Sequence, residues 1–263
     1  MDFYDYVEPS ARDETVRAGI ISKIERIIGP PRAVLDDACS IKCFGSFPAK
    51  LYLPTADMDL VLVSDSYLKG GRSMLDTSHQ PSVRRALRAA ANKLQRAGMF
   101  AEQPTLIFRA KVPIVKFVDR QSRIQVDLSF ENLSGVVAQE TFRKWTSEIP
   151  NMFPLIALIK QFLVMRDLND VHTGGLGGFS IICLVYTYLR NHLPDPAEGE
   201  MVNLAKLFMG FLDFWGNKFD LATQRLETTS DPPRIVQKVN LLAWPPTLSL
   251  HLQALWPQML TVI

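Results

Sequence analysis

Apolar residues recur at helical spacing near the start of the chain, where Val16, Ile20, Ile24 and Ile27 line one side of a helix until Gly29-Pro30-Pro31 stops it. Ser10, three residues before Asp13, gives this helix a capping-box-like start. From Ile41 to Ser64 the pattern changes to short apolar runs broken by Gly45, Pro48 and Pro54, which predicts strands joined by tight turns. A second amphipathic helix follows over Ser82–Ala97. Val83, Leu87, Ala90, Leu94 and Ala97 form its stripe, arginines and lysines fill the other faces, and Gly98 ends it. Thr105–Ala110, Val112–Val118 and Arg123–Phe130 alternate or run β-branched, so three more strands are expected. Beyond Phe130 the texture is helical, with long periodic stretches at Phe153–Arg166, Gly178–Asn191 and Leu204–Phe214.

These elements predict an α+β chain with a mixed-sheet first half and a mostly helical second half. Its 263 residues allow one or two cores, and a content of 47% hydrophobic and 21% charged residues is that of an ordinary globular protein. A net charge of only +2 excludes a globally basic protein, so any nucleic-acid role rests on a local surface. The arginines of the second helix are a solvated face or such a surface. Three cysteines at unremarkable spacing, Cys39, Cys43 and Cys183, point to a reducing compartment, and four scattered histidines give no zinc pattern. The N-terminal MDFYDYVEPSARDE carries acids and no apolar core, so no secretory signal is expected. The uncharged run Leu176–Leu189, at about 14 residues, has the length of a buried helix and not of a membrane span.

The chemistry concentrates in three acids. In TADMDLVLV, Asp57 and Asp59 are two apart on a predicted strand, so both carboxylates project from one face while Met58, Leu60 and Leu62 point the other way. In RIQVDLSF, Ile124, Val126, Leu128 and Phe130 form one face and Asp127 lies on the other, so this strand can pair beside the first and bring a third carboxylate. Three such groups repel one another unless a hard cation neutralises them; an all-oxygen set suits magnesium, with manganese as a substitute. Two-metal phosphoryl displacement is the corresponding chemistry. Twelve residues before Asp57, Gly45-Ser46 allows close backbone approach and a hydroxyl donor to a phosphate.

On GSFPAKLYLPTADMDLVLV the chain resembles the DNA polymerase β-like nucleotidyltransferase superfamily. More narrowly, LYLPTADMDLVL, RAKVPIVKFVD, DLSFE and VHTGGLGGFSIICLV resemble the nuclear RNA-surveillance poly(A) polymerases, the catalytic subunits of TRAMP-type complexes. The likeness runs from about Phe3 to about Phe219. It implies a five-stranded catalytic domain over residues 31–135 and a helical central, PAP-associated domain over 136–238, with the helix of 1–30 packed on the latter. It also implies roles by position. Asp57, Asp59 and Asp127 would hold the metals, Gly45 and Ser46 would touch the triphosphate, and Gly135 would lie by the ribose. Lys160 would neutralise the triphosphate, and Phe179, after Gly178, would stack on the base. Expected with these are ATP as substrate, an RNA 3′ end as acceptor, a zinc-knuckle RNA-binding partner, a helicase, and a nuclear location without membrane association.

Two departures qualify these implications. Val164 stands one helical turn beyond Lys160, where several uridylyl-adding relatives carry a second basic residue; this favours adenylation over a terminal uridylyltransferase. Residues 239–263 contain no Asp, Glu, Lys or Arg and have prolines at 245, 246 and 257, in place of the family's nucleotide-recognition segment. The prolines argue against a membrane span. Such an end is also expected of a truncated, inactive scaffold that keeps the partner-binding central domain.

Overall fold

Ser10 caps the first long helix as its sequence context implies, its hydroxyl accepting from the Asp13 amide at 3.1 Å. In the computed structural model, which describes residues 2–76, 78–149, 152–169, 171, 174–193 and 203–238, a short α1 (Asp2–Val7) precedes this helix, α2 (Ala11–Ile28). There follow β1 (Cys39–Phe44), β2 (Met58–Ser64), a single turn α3 (Asp65–Leu68), α4 (Gln80–Arg96), β3 (Thr105–Ile107), β4 (Ile114–Val118) and β5 (Gln125–Phe130). The strands form one mixed sheet in the order β1-β2-β5-β4-β3, in which β2 and β5 run parallel and every other pair is antiparallel.

Alternation assigns the two faces of this sheet. Met58, Leu60 and Leu62 of β2 and Val126, Leu128 and Phe130 of β5 lie on the core face, against Val83, Leu87 and Leu94 of α4. The other face carries a cross-strand row in which Phe44 stands opposite Asp59, Asp59 opposite Asp127, and Asp127 opposite Lys116. A slip of one residue between β2 and β5 would drive the apolar set out of the core, so burial pins the register that pairs the two acids. At the end of β2, the buried Glu131 accepts from the Ser64 amide at 2.7 Å and the Met74 amide at 2.8 Å.

The chain divides into two compact units after Lys144, inside α5 (Ser134–Glu148) and nine residues beyond the expected boundary. The first turns of α5 belong with the sheet because Gln139 donates to the Gly45 carbonyl at 2.9 Å and Gly135 packs on the Phe44 ring. Residues 1–30 also differ from expectation. Ile20, Ile24 and Ile28 of α2 join the sheet's own apolar core, so this helix packs on β1 and α4 and not as part of the helical half. Its buried stripe is Arg17, Ile20, Ile24 and Ile28, while Val16 is exposed.

The second unit contains α6 (Met152–Val164), α7 (Gly178–His192), α8 (Leu204–Asp213), a π-helical turn over 214–218, and a hairpin of β6 (Gln224–Glu227) and β7 (Arg234–Gln237). The hairpin is a non-helical part of a half expected to be mostly helical, and it left no sign in the sequence because its strands of four residues are too short for alternation to show. Trp145 stacks on Tyr186 at 4.3 Å and donates its indole N–H to Asp231 at 3.0 Å. Tyr186 in turn donates to Glu148 at 2.7 Å. Ile181–Leu189 of α7 are buried throughout, as expected of a core helix, and no described helix is long and apolar enough to cross a membrane. Cys39, Cys43 and Cys183 are free thiols that burial pushes up to about 12, so they are protonated at neutral pH. The uncharged tail of 239–263 lies outside the described residues.

Ile24 is fully buried beneath the sheet. Ile24→Ala should lower stability by about 2–5 kcal/mol, read from the urea midpoint, with amide protection lost first in β1 and α4. Loss confined to amides of the second unit would contradict the assignment of α2 to the sheet.

Candidate active site

The acids reach one face by different routes. Asp59 and Asp127 are held by the ladder of β2 and β5, directly opposite each other. Asp57 precedes β2 by one residue and has no place in that ladder. All three side chains are half-buried. Lys116 donates to Asp127 Oδ2 at 3.4 Å, while Asp127 Oδ1 is buried without a partner. Desolvation raises the Asp127 carboxyl above the usual carboxylate range and the charge of Asp57 raises it further, whereas Lys116 pulls it down.

Gly45 sits beside this row with φ +77°, and a Cβ there would stand 2.3 Å from Asp59 Oδ2. Both the left-handed backbone and the contact require glycine. The turn it begins continues through Ser46, whose carbonyl accepts from the Leu51 amide at 2.9 Å. Gly135 is close by but faces Phe44: an added Cβ would meet that ring at 2.2 Å, which explains a glycine at this position by packing.

Lys160, Gly178 and Phe179 belong to the second unit and come together there. An added Cβ on Gly178 would lie 3.8 Å from Lys160 Nζ, and Phe179 is 42% exposed in the first turn of α7. Val164 is likewise exposed on α6.

Among the described residues, no three acidic, histidine or cysteine side chains stand close enough to hold an ion as they are. The donor chemistry nevertheless fits magnesium. Asp57, Asp59 and Asp127 offer only carboxylate oxygens, and the orphaned Asp127 Oδ1 has an acceptor position that no protein group fills.

Two contributors escaped the sequence reading. Gln139 fixes the Gly45 carbonyl, and Arg17 is buried against the segment leading to Asp57. Residues 17, 20, 24 and 28 make as good a helical stripe as 16, 20, 24 and 27, so spacing alone does not choose between them. An arginine does not register as a core residue on a hydrophobicity pattern.

The raised Asp127 carboxyl fixes a sign. Stability from this group is present while it is protonated and is lost as pH rises through its elevated folded value, so its charge burdens the metal-free fold near neutrality. Metal-free Asp127→Asn should therefore melt at or above the wild type near about pH 7, and the difference should close towards about pH 4. Magnesium should raise the wild-type Tm and leave that of the variant unchanged. A variant that melts lower at neutral pH would show that the Lys116 ion pair outweighs desolvation.

Residues 1–147 match the family described as Poly(A) RNA polymerase, mitochondrial-like, central palm domain. Poly(A) RNA polymerase protein 1 of Eremothecium gossypii is 37% identical over 220 residues, covering 83% of this chain and 32% of the relative. Poly(A) RNA polymerase protein 2 of Saccharomyces cerevisiae is 36% identical over 224 residues, covering 83% and 35%. The chain thus spans about a third of the length of these curated relatives. A solved structure of the polymerase core of TRAMP, a RNA surveillance complex, superposes with a TM-score of 0.73 at 33% identity, over 91% of this chain and 70% of that one. The α+β architecture with its mixed sheet is therefore that of a polymerase core. Because the palm match alone takes in more than half of its residues, the chain belongs to the poly(A) RNA polymerase family.

Proposed function

We propose that this chain carries the catalytic part of a template-independent RNA 3′-end nucleotidyltransferase that adds adenylates from ATP. The observation that supports it most is the pairing of Asp59 with Asp127 across β2 and β5, with one Asp127 oxygen unpartnered and Gly45 against the Asp59 carboxylate. Asp57, Asp59 and Asp127 would hold magnesium, or manganese in its place, which when bound supplies Lewis-acid activation of the attacking hydroxyl and charge neutralisation at the phosphates.

The remaining roles fall to the chain's own groups. The Gly45-Ser46 turn offers backbone and hydroxyl contacts to the triphosphate, while Lys160 supplies a point charge for it. Gly135, packed on Phe44, would lie by the ribose, and Phe179, next to Gly178, offers an exposed aromatic face for the base. The exposed, uncharged Val164 favours adenylate over uridylate addition. By its family the chain would act on the 3′ ends of nuclear RNAs in surveillance, with a zinc-knuckle RNA-binding protein and a helicase as partners; a net charge of +2 agrees with RNA affinity borrowed from such a partner. A second reading, an inactive scaffold, is favoured by the uncharged stretch 239–263 that stands in place of the family's nucleotide-recognition segment.

Full-length protein incubated with a labelled oligoadenylate primer, magnesium and each nucleoside triphosphate in turn should extend the primer with ATP. An Asp57→Ala, Asp59→Ala double variant should fall to background. Extension mainly with UTP would reassign the base, and no extension by folded protein, even with a zinc-knuckle partner added, would leave the scaffold reading.

A further inference from the structure

A buried arginine sits behind the first of the three acids. Arg17 of α2 is 0% exposed, and its guanidinium lies 4.6 Å from the Tyr52 ring centre and 5.5 Å from that of Phe47. Its Nε faces the Asp13 carboxylate at 3.3 Å. Nη2 donates to the Pro54 carbonyl at 3.3 Å and the Ala56 carbonyl at 2.9 Å, and Nη1 donates to the Asp57 carbonyl at 3.3 Å. The fork thus gathers three carbonyls from four consecutive residues.

That stretch needs an outside hold. Residues 54–57 form neither helix nor strand, and Asp57 lies one residue short of the β2 ladder that orients Asp59. Asp59 and Asp127 take their direction from strand pairing. The backbone of Asp57 takes its direction from Arg17, because a carbonyl fixed by a planar, buried donor fixes the adjoining peptide plane. Burial of the whole side chain excludes water that would compete for those carbonyls, and the aromatic rings hold the guanidinium plane.

We infer that Arg17 is a positioning residue for the cation site: by clamping the Pro54, Ala56 and Asp57 carbonyls it presents the Asp57 carboxylate to the row formed by Asp59 and Asp127. The inference rests on the reading of Asp57 as a metal ligand. It explains why a fully buried slot on the apolar stripe of α2 is occupied by an arginine. A lysine there would keep the charge and reach Asp13, but its single nitrogen lacks the fork that spans three carbonyls.

The test uses metal-free, full-length protein titrated with Mn2+ and followed by water-proton relaxation, alongside the magnesium dependence of primer extension. Arg17→Lys should weaken Mn2+ binding by about 10–100-fold and raise the half-saturating magnesium concentration to match, with the KM for primer unchanged. A merely structural role would lower the Tm and leave Mn2+ affinity at its wild-type value, and that result in folded Arg17→Lys protein overturns the proposal. Asp57→Ala separates the two layers. If it too binds Mn2+ normally, the ligand reading of Asp57 itself is wrong; if it alone loses binding, only the positioning role is. Should Arg17→Lys not fold, Asp13→Asn, which removes the charge facing Nε, decides by the same criterion: weakened Mn2+ binding supports the clamp, and unchanged binding overturns it.

Discussion

Like charges held side by side on a sheet set the terms for the first unit. Neighbouring strands are about 5 Å apart, so acids on one face of paired strands are brought near one another and repel. Asp59 and Asp127 occupy such positions, and Asp57 adds a third charge whose effect reaches Asp127. The opposite face of the same strands supplies what resists this repulsion. Met58, Leu60, Val126 and Leu128 are fully buried, and separating the strands would expose them. Lys116, next along the row, offsets part of the charge but reaches only one Asp127 oxygen. The residual charge is what a hard cation would neutralise.

The turns around the row are held from outside by buried side chains. Gln139 of α5 grips the Gly45 carbonyl, and Arg17 of α2 grips the Pro54–Asp57 carbonyls. These helices lie on either side of the sheet residues in sequence, so the site depends on chain segments far apart. Gly45 and Gly135 serve the same end by omission, the first leaving space for Asp59 and the second for Phe44. Loops beside reacting groups are often mobile; here polar anchors buried in a low-dielectric interior restrain them.

In the second unit the organising contacts are aromatic. Trp145 and Tyr186 stack, and each ring finds a carboxylate for its polar atom, Asp231 for the indole and Glu148 for the phenol. This satisfies the polar ends of two large buried rings and leaves their faces to pack. Tyr188 stacks on His192 and meets Phe211 edge-on, while Gly210 provides the space its hydroxyl needs. Lys160 and Gly178 are brought together on this frame with Phe179 exposed beside them.

Much of this was written in local pattern. Period-two alternation around Asp59 and Asp127 revealed both strands and the polar side of each, although Asp57, expected on the first strand, lies just before it, and helical spacing located α2, α4, α6, α7 and α8, because both signals need only a handful of adjacent residues. The short β6–β7 hairpin left no such trace. Tertiary structure decided which surface each stripe covers: Ile20, Ile24 and Ile28 could have served any apolar face, and they serve the sheet. It also decided that an arginine belongs on a buried stripe and a glutamine beside Gly45. Hydrophobic pattern records the average cost of burying a side chain, whereas the value of burying Arg17 or Gln139 comes from particular carbonyl oxygens supplied by residues far away in the chain.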